Sequence, residues 1–141
     1  MAQFPKLQAY TERSTFNQLT LVPGSRLGVI AAGLGSAYAY EAIKELGLEG
    51  KVNWLKLGAS YPLPEKKVAE LLRASDKVLV VEEGTSFLES EIRALAQRLG
   101  ITVDITGSEG YEHFTPLIML NPEITDEEGS WTVEEGCLSL P

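Results

Sequence analysis

Cysteine and histidine are almost missing: the 141-residue chain has one of each, Cys137 and His113. A lone cysteine can neither close an internal disulfide nor ligate an iron–sulfur cluster, which needs several thiolates. A lone histidine offers no choice of partners for a Ser–His–Asp arrangement and excludes an HExxH pair. His113 and Cys137 with scattered carboxylates make a poor set for a zinc site of three or four ligands, and His113 is expected on a surface loop. No apolar run approaches the roughly 18 residues of a membrane span. The opening MAQFPKLQAYTERSTF lacks the apolar core of a secretory signal, so a reducing cytoplasm is the expected compartment. Lys and Arg are absent from the last third. All 12 lie within residues 1–98, alongside 11 acids, whereas residues 99–141 carry 9 acids and no Lys or Arg. Such an end repels nucleic acid and anionic membrane, so neither is an expected partner, and a solvated tail is its plain reading.

What is present is a repeating pattern. Residues 1–25 are polar and end in the turn signal Pro23-Gly24-Ser25, as a leader or linker would. LGVIAA (27–32) is apolar without alternation, the mark of a strand buried on both faces. The turn Gly33-Leu34-Gly35-Ser36 follows, and Ser36 is placed to cap a helix to about Leu46, with Ala39, Ala42, Ile43 and Leu46 on one face and Gly47 as its stop. VNWLKL (52–57) is a second strand, and Pro64 opens a helix whose stripe is Val68, Leu71 and Leu72. KVLVVE (77–82) is a third strand. Ser86 with Glu89 has the spacing of a capping box, ahead of a helix with Leu88, Ile92, Leu95, Ala96 and Leu99 on one face, ending at Gly100. ITVDI (101–105) is a fourth strand. This alternation predicts an α/β fold: a mostly parallel open sheet with helices on both faces. After Gly107 the pattern stops, and residues 108–141 read as an acidic β and loop segment. There PLIML (116–120) could add as an edge strand, with EGCLSL pairing to it as a hairpin.

Few residues offer chemistry. The Gly33-Leu34-Gly35-Ser36 turn invites comparison with the dinucleotide fingerprint, but Tyr38 stands where a third glycine belongs, and Lys56 and Leu57 stand where the ribose-binding acid belongs. A tight turn that packs helix on strand explains the glycines better, with weak anion attraction at the helix start left open. Glu82 and Glu83 end the third strand at the edge where open α/β sheets bind ligands. Paired carboxylates can do acid–base work if burial raises one pKa, yet negative charge is favoured ahead of a helix for purely structural reasons, and that reading is preferred. Tyr61, at the same edge, is expected to pack or to meet a partner.

Three strings carry a resemblance: LGVIAAGLGSAYAYEAIKELG at 27–47, LKLGASYPLPEKKVAELL at 55–72 and KVLVVEEGTSFLESEIRAL at 77–95. The middle one, with its G-x-x-Y-P-L-P turn entering a helix, is the most specific. Residues 26–107 thereby resemble the transketolase-C-terminal-like domain of indolepyruvate:ferredoxin oxidoreductase α subunits and related 2-oxoacid:ferredoxin oxidoreductases. The resemblance implies a parent enzyme using thiamine diphosphate, Mg²⁺ and iron–sulfur clusters, in which this domain holds none of them and helps assembly with other domains or subunits, or as a homo-oligomer. No GDG with an Asn-bearing loop for Mg²⁺ and diphosphate occurs here. No catalytic or cofactor-binding residue is therefore expected in the isolated chain.

The tail resembles another family. PLIMLNPEITDEEGSWTVEEGCLSLP (116–141) is similar to the central part of peptide deformylase, with NPEI at 121–124 and the metal-ligand motif EGCLS at 135–139. The resemblance implies Cys137 as a thiolate ligand of Fe²⁺ or Zn²⁺, with Leu138 beside the oxyanion site. The family's HExxH helix and its glycine-rich loop ending in Gln are missing, so that metal site is incomplete. Two unrelated resemblances meeting near residues 108–116 read as a chimera. The expected function is a non-catalytic assembly domain, the alternatives being deformylase-type metallohydrolase activity through Cys137 or a chimera with no selected function.

Overall fold

The strand that is apolar on both sides lies in the middle. In the computed structural model, which describes residues 4–107, the elements run α1 (Phe4–Arg13), β1 (Asn17–Thr20), β2 (Leu27–Ala32), α2 (Gly35–Glu45), β3 (Asn53–Leu57), α3 (Glu65–Arg73), β4 (Lys77–Val81), α4 (Phe87–Leu99) and β5 (Asp104–Gly107). One five-stranded sheet has the order β1-β3-β2-β4-β5. β2 pairs in parallel with β3 and with β4, and β4 in parallel with β5. Each crossover carries a helix, as parallel pairing requires.

Helices cover both faces, as expected, but unequally. On one face Ile30, Leu55, Leu57, Val78, Val80 and Ile105 meet Val68, Leu71 and Leu72 of α3 and Leu88, Ile92, Leu95 and Ala96 of α4. On the other, Val29 and Ala31 meet Ala39 and Ile43 of α2 alone. β4 accordingly alternates: Val78 and Val80 are buried, while Leu79, on the face that one helix covers, is 37% exposed. The continuous apolar run of β4 therefore does not mean burial on both sides there. Gly47 and Gly100 end α2 and α4 with φ of 64° and 62°, the left-handed stop that their positions predict.

Within the segment expected as a leader or linker, residues 4–20 contribute a helix and a strand to the fold. Residues 4–13 form α1, and β1 adds antiparallel to β3, with Asn17 opposite Leu57 and Thr20 opposite Trp54. Apolar patterning hides this because hydrogen bonds hold the segment. The buried Asn17 side chain donates to the carbonyls of Thr11 and Ala59 at 3.0 and 2.9 Å and accepts from the Ala59 amide at 2.9 Å. Gln8 donates to the Leu63 carbonyl, and Glu12 accepts from the Lys66 amide at 2.7 Å, over the first turn of α3. At the opposite end of the sheet, the buried Asn53 accepts from the Val22 amide and donates to the Ala74 carbonyl and the Ser75 hydroxyl.

Two caps differ from expectation. α2 begins at Gly35, and Ser36, itself buried, donates its hydroxyl back to the Gly33 carbonyl at 2.6 Å instead of capping. Ser86 makes no capping bond through its side chain, so the Ser86–Glu89 box does not form. The cap of α4 is Glu82, whose two carboxylate oxygens accept from the Leu88 and Glu89 amides at 2.7 and 3.0 Å. A carboxylate reaching two free N–H groups satisfies more donors than one hydroxyl and adds charge at the positive end of the helix.

Two stability predictions follow from these bonds. Asn17→Ala leaves three backbone groups without their partner and is expected to cost about 2–3 kcal/mol in urea unfolding, whereas a loose linker would register nothing. Glu82→Ala is expected to cost about 1–2 kcal/mol, and Ser86→Ala to change stability by no more than about 0.5 kcal/mol. Equal effects for the pair would contradict the assignment of the cap.

Candidate functional site

Ligands of open parallel sheets bind beyond the carboxyl ends of the strands, near the point where chain order reverses. Here that edge is made by the turn after β2, the loop after β3 and the loop after β4.

The turn after β2 is built for packing. Gly35 lies so close to β4 that an added Cβ would stand 3.3 Å from the Val81 carbonyl oxygen. Close approach of helix to strand explains the glycine without a ligand. Tyr38, in the first turns of α2, is 67% exposed. Lys56 is exposed and Leu57 is buried in the apolar core, so no carboxylate stands at the position of the ribose-binding acid.

The loop after β3 is clamped from the N-terminal segment. Gly58 donates to the Phe16 carbonyl at 3.1 Å, Ala59 is held by Asn17, and Gln8 reaches Leu63. A Cβ at Gly58 would stand 2.8 Å from that of Phe16, so only glycine admits β1 this close. Tyr61, 69% exposed, lies edge-on to Phe4 with ring centroids 6.4 Å apart. It packs against a neighbour, in keeping with its expected role.

The loop after β4 carries the paired glutamates. Glu82 is engaged with the α4 backbone, and Glu83 is exposed. The pair is thus split between a structural bond and solvent, which is the plainer of its two readings. The resolved charge perturbations lie elsewhere. Arg26 and Asp76, paired at the amino edge, shift each other: the hydrogen bond to Arg26 holds the Asp76 carboxyl below its usual range, and Asp76 raises the guanidinium. Hollows in the surface are formed by described residues. One of about 490 Å³ lies between α1 and α3, lined by Gln8, Glu12, Arg13, Glu65 and Lys66, and one of about 190 Å³ by Tyr40, Glu49, Val52 and Trp54.

Among the described residues, no group of three or more His, Cys, Asp or Glu is placed to hold a metal, and no helix is long and apolar enough to cross a membrane. Cys137, His113, the PLIML segment and the EGCLS motif lie outside the described residues. The groups that sequence reading missed are Asn17, Gln8 and the capping role of Glu82. Each is polar, acts over a turn or across the fold, and has no periodic signature.

No protein-family model matches the chain. The "Indolepyruvate oxidoreductase subunit IorA" of Methanothermobacter marburgensis is 42% identical over 103 residues, 72% of this chain and 16% of that protein. That match is longer than the stretch from Leu27 to Gly107, so it takes in residues beyond the expected domain. A 2-oxoglutarate:ferredoxin oxidoreductase from Magnetococcus marinus superposes with a TM-score of 0.58 at 22% identity, over 74% of this chain and 18% of that one. A split-gene transketolase superposes with a TM-score of 0.52 at 24% identity, over 64% of this chain and 32% of that one. A peptide deformylase of Chlorobium phaeobacteroides is 44% identical over 41 residues, 29% of this chain and 22% of that protein. The chain spans about a sixth of the length of the IorA relative. By sequence and by fold, the α/β unit is a homologue of one segment of the IorA subunit of indolepyruvate oxidoreductases, with the transketolase-C-terminal-like architecture.

Proposed function

We propose that the chain is a non-catalytic packing domain of an indolepyruvate or related 2-oxoacid:ferredoxin oxidoreductase-like protein, joined to a partial deformylase-like segment. Its work is to hold other domains or subunits together. One observation carries the reading: at the edge where such sheets bind ligands, Glu82 is engaged in capping α4, while Leu34, Tyr61 and Phe87 stand more than half exposed. Exposed aromatic groups suit a protein interface better than a reaction.

The parent family's cofactors do not fit this chain. Iron–sulfur clusters need several thiolates, and there is one cysteine. Mg²⁺ with a diphosphate needs oxygen donors free to coordinate, and among the described carboxylates of the carboxyl edge Glu82 caps α4, Glu65 pairs with Arg98 and Glu89 with Arg93, which leaves Glu83. Calorimetric titration of the purified chain with thiamine diphosphate and Mg²⁺ is expected to give no heat in the micromolar range. Binding at micromolar concentration would overturn the reading.

The likeness to deformylase favours a second reading, metallohydrolase activity built on Cys137. It requires stoichiometric Fe, Ni or Zn in the purified protein and its loss in Cys137→Ser. A single thiolate without the two histidines of an HExxH helix holds a catalytic metal poorly. Metal-free protein by elemental analysis is the expected outcome.

A further inference from the structure

An open sheet ends in two strands whose outer backbone groups lack a neighbouring strand, and a strand of another chain can pair there. Here these strands are β1 and β5, each four residues long. Backbone bonds fix which of their residues face outward. The Phe16 carbonyl accepts from the Gly58 amide, and Gln18 lies opposite Lys56, so Phe16 and Gln18 face β3 while Asn17 and Leu19 face away. At the other margin the Asp104 amide donates to the Asp76 carbonyl, just ahead of β4. Asp104 and Thr106 therefore face β4, and Ile105 and Gly107 face away.

A cation from the helix layer sits on each outer margin. On β1 the Lys67 ammonium of α3 donates to the Asn17 carbonyl and, at 3.1 Å, to the Ser14 carbonyl. The Asn17 amide is itself turned to Ser14, at 3.2 Å, so neither backbone group of Asn17 is left for another strand. Among the described residues Lys67 makes no ion pair, and its partners are these carbonyls. On β5 the Arg93 guanidinium of α4 donates to the Ile105 carbonyl, while its Nε donates to Glu89 at 2.7 Å. Glu89 lies against Gly107, the next outward residue, where an added Cβ would stand 3.0 Å from its carboxylate carbon. Helices α3 and α4 pack on one face, so a single layer reaches round both margins of the sheet.

Four-residue strands offer two outward residues each, and pairing needs both. A strand added to β1 has to donate to the Asn17 carbonyl, and one added to β5 to the Ile105 carbonyl. Each must displace a cation and replace a charge-assisted bond with a neutral one, which is the weaker kind. Lys67, half-buried, would then keep its charge without its acceptor. We propose that Lys67 and Arg93 close the two margins of the sheet to strand pairing with a second copy of this chain. This goes beyond the packing reading and does not rest on it. That reading concerns exposed side chains at the carboxyl ends of the strands, whereas this one concerns the backbone along the sheet's two sides.

Lys67→Met and Arg93→Met in the full chain, alone and combined, test it under reducing conditions. Methionine keeps an apolar stem and removes the donor, and urea unfolding checks that each variant is folded. Sedimentation velocity over a concentration series reads association, and NMR hydrogen exchange at the outward Leu19 and Ile105 amides reads where it occurs. The double variant is expected to associate at concentrations roughly tenfold below the unaltered chain, the factor that one charge-assisted bond is worth. Exchange at Leu19 or Ile105 is expected to slow as concentration rises. Lys67→Arg and Arg93→Lys, which keep a cationic donor, are expected to behave as the unaltered chain. Unchanged association in the folded methionine variants would overturn the proposal, even where they unfold in less urea, because the cations would then serve stability alone. Association that leaves both amides exchanging freely would overturn it too, since the contact would lie elsewhere. Each single variant decides for its own margin, so one that does not fold leaves the other as the test.

Discussion

Burial of β2 on both faces is the constraint from which the rest of the molecule follows. A six-residue strand without polar alternation has to lie inside a sheet and between layers, so it needs a strand on each side and helices above and below. A helix between each strand and the next carries the chain back to the same end of the sheet, so those neighbours run parallel. The order β1-β3-β2-β4-β5 is the result, with the switch point beside β2. Helix α2 crosses to β3 on one face, and α3 and α4 serve the other.

The uneven cover of the two faces bears on function. The face with two helices holds a continuous apolar core. The face with α2 alone leaves Leu79 and the outward side of the helix, including Tyr38, in solvent. The aromatic residues of the carboxyl edge add to this exposed apolar surface. The unit's polar groups, by contrast, are well satisfied: among the described residues no buried side-chain nitrogen or oxygen lacks a hydrogen-bond partner.

Hydrogen bonding from a few side chains decides where the unit begins. Asn17 and Asn53 are both fully enclosed on strands at one side of the sheet, and each ties together backbone segments that no regular ladder joins. Asn17 and the glycine at 58 add to the β1–β3 ladder, the Gln8 and Glu12 bonds and the contacts of Leu19 in attaching α1 and β1. The glutamate that caps α4 is another such case: Glu82 reaches across a loop and displaces the local serine.

Periodicity and composition alone determined the alternating α/β pattern, the central place of LGVIAA, the buried stripes of α3 and α4, and the glycine stops at 47 and 100. Each depends on contacts within a few residues or on burial along one element, which leave a regular trace in the letters. The same holds for the scarcity of metal and cluster ligands. Tertiary structure decided that residues 4–20 join the sheet, that Glu82 and not Ser86 caps α4, and that Ser36 turns back to Gly33. It also decided that Leu79 faces water and that Leu34, Tyr61 and Phe87 share one edge. These outcomes rest on pairings between residues up to 55 positions apart, such as Gln8 with Leu63. Such pairings have no period, and so they become visible only when the chain has folded.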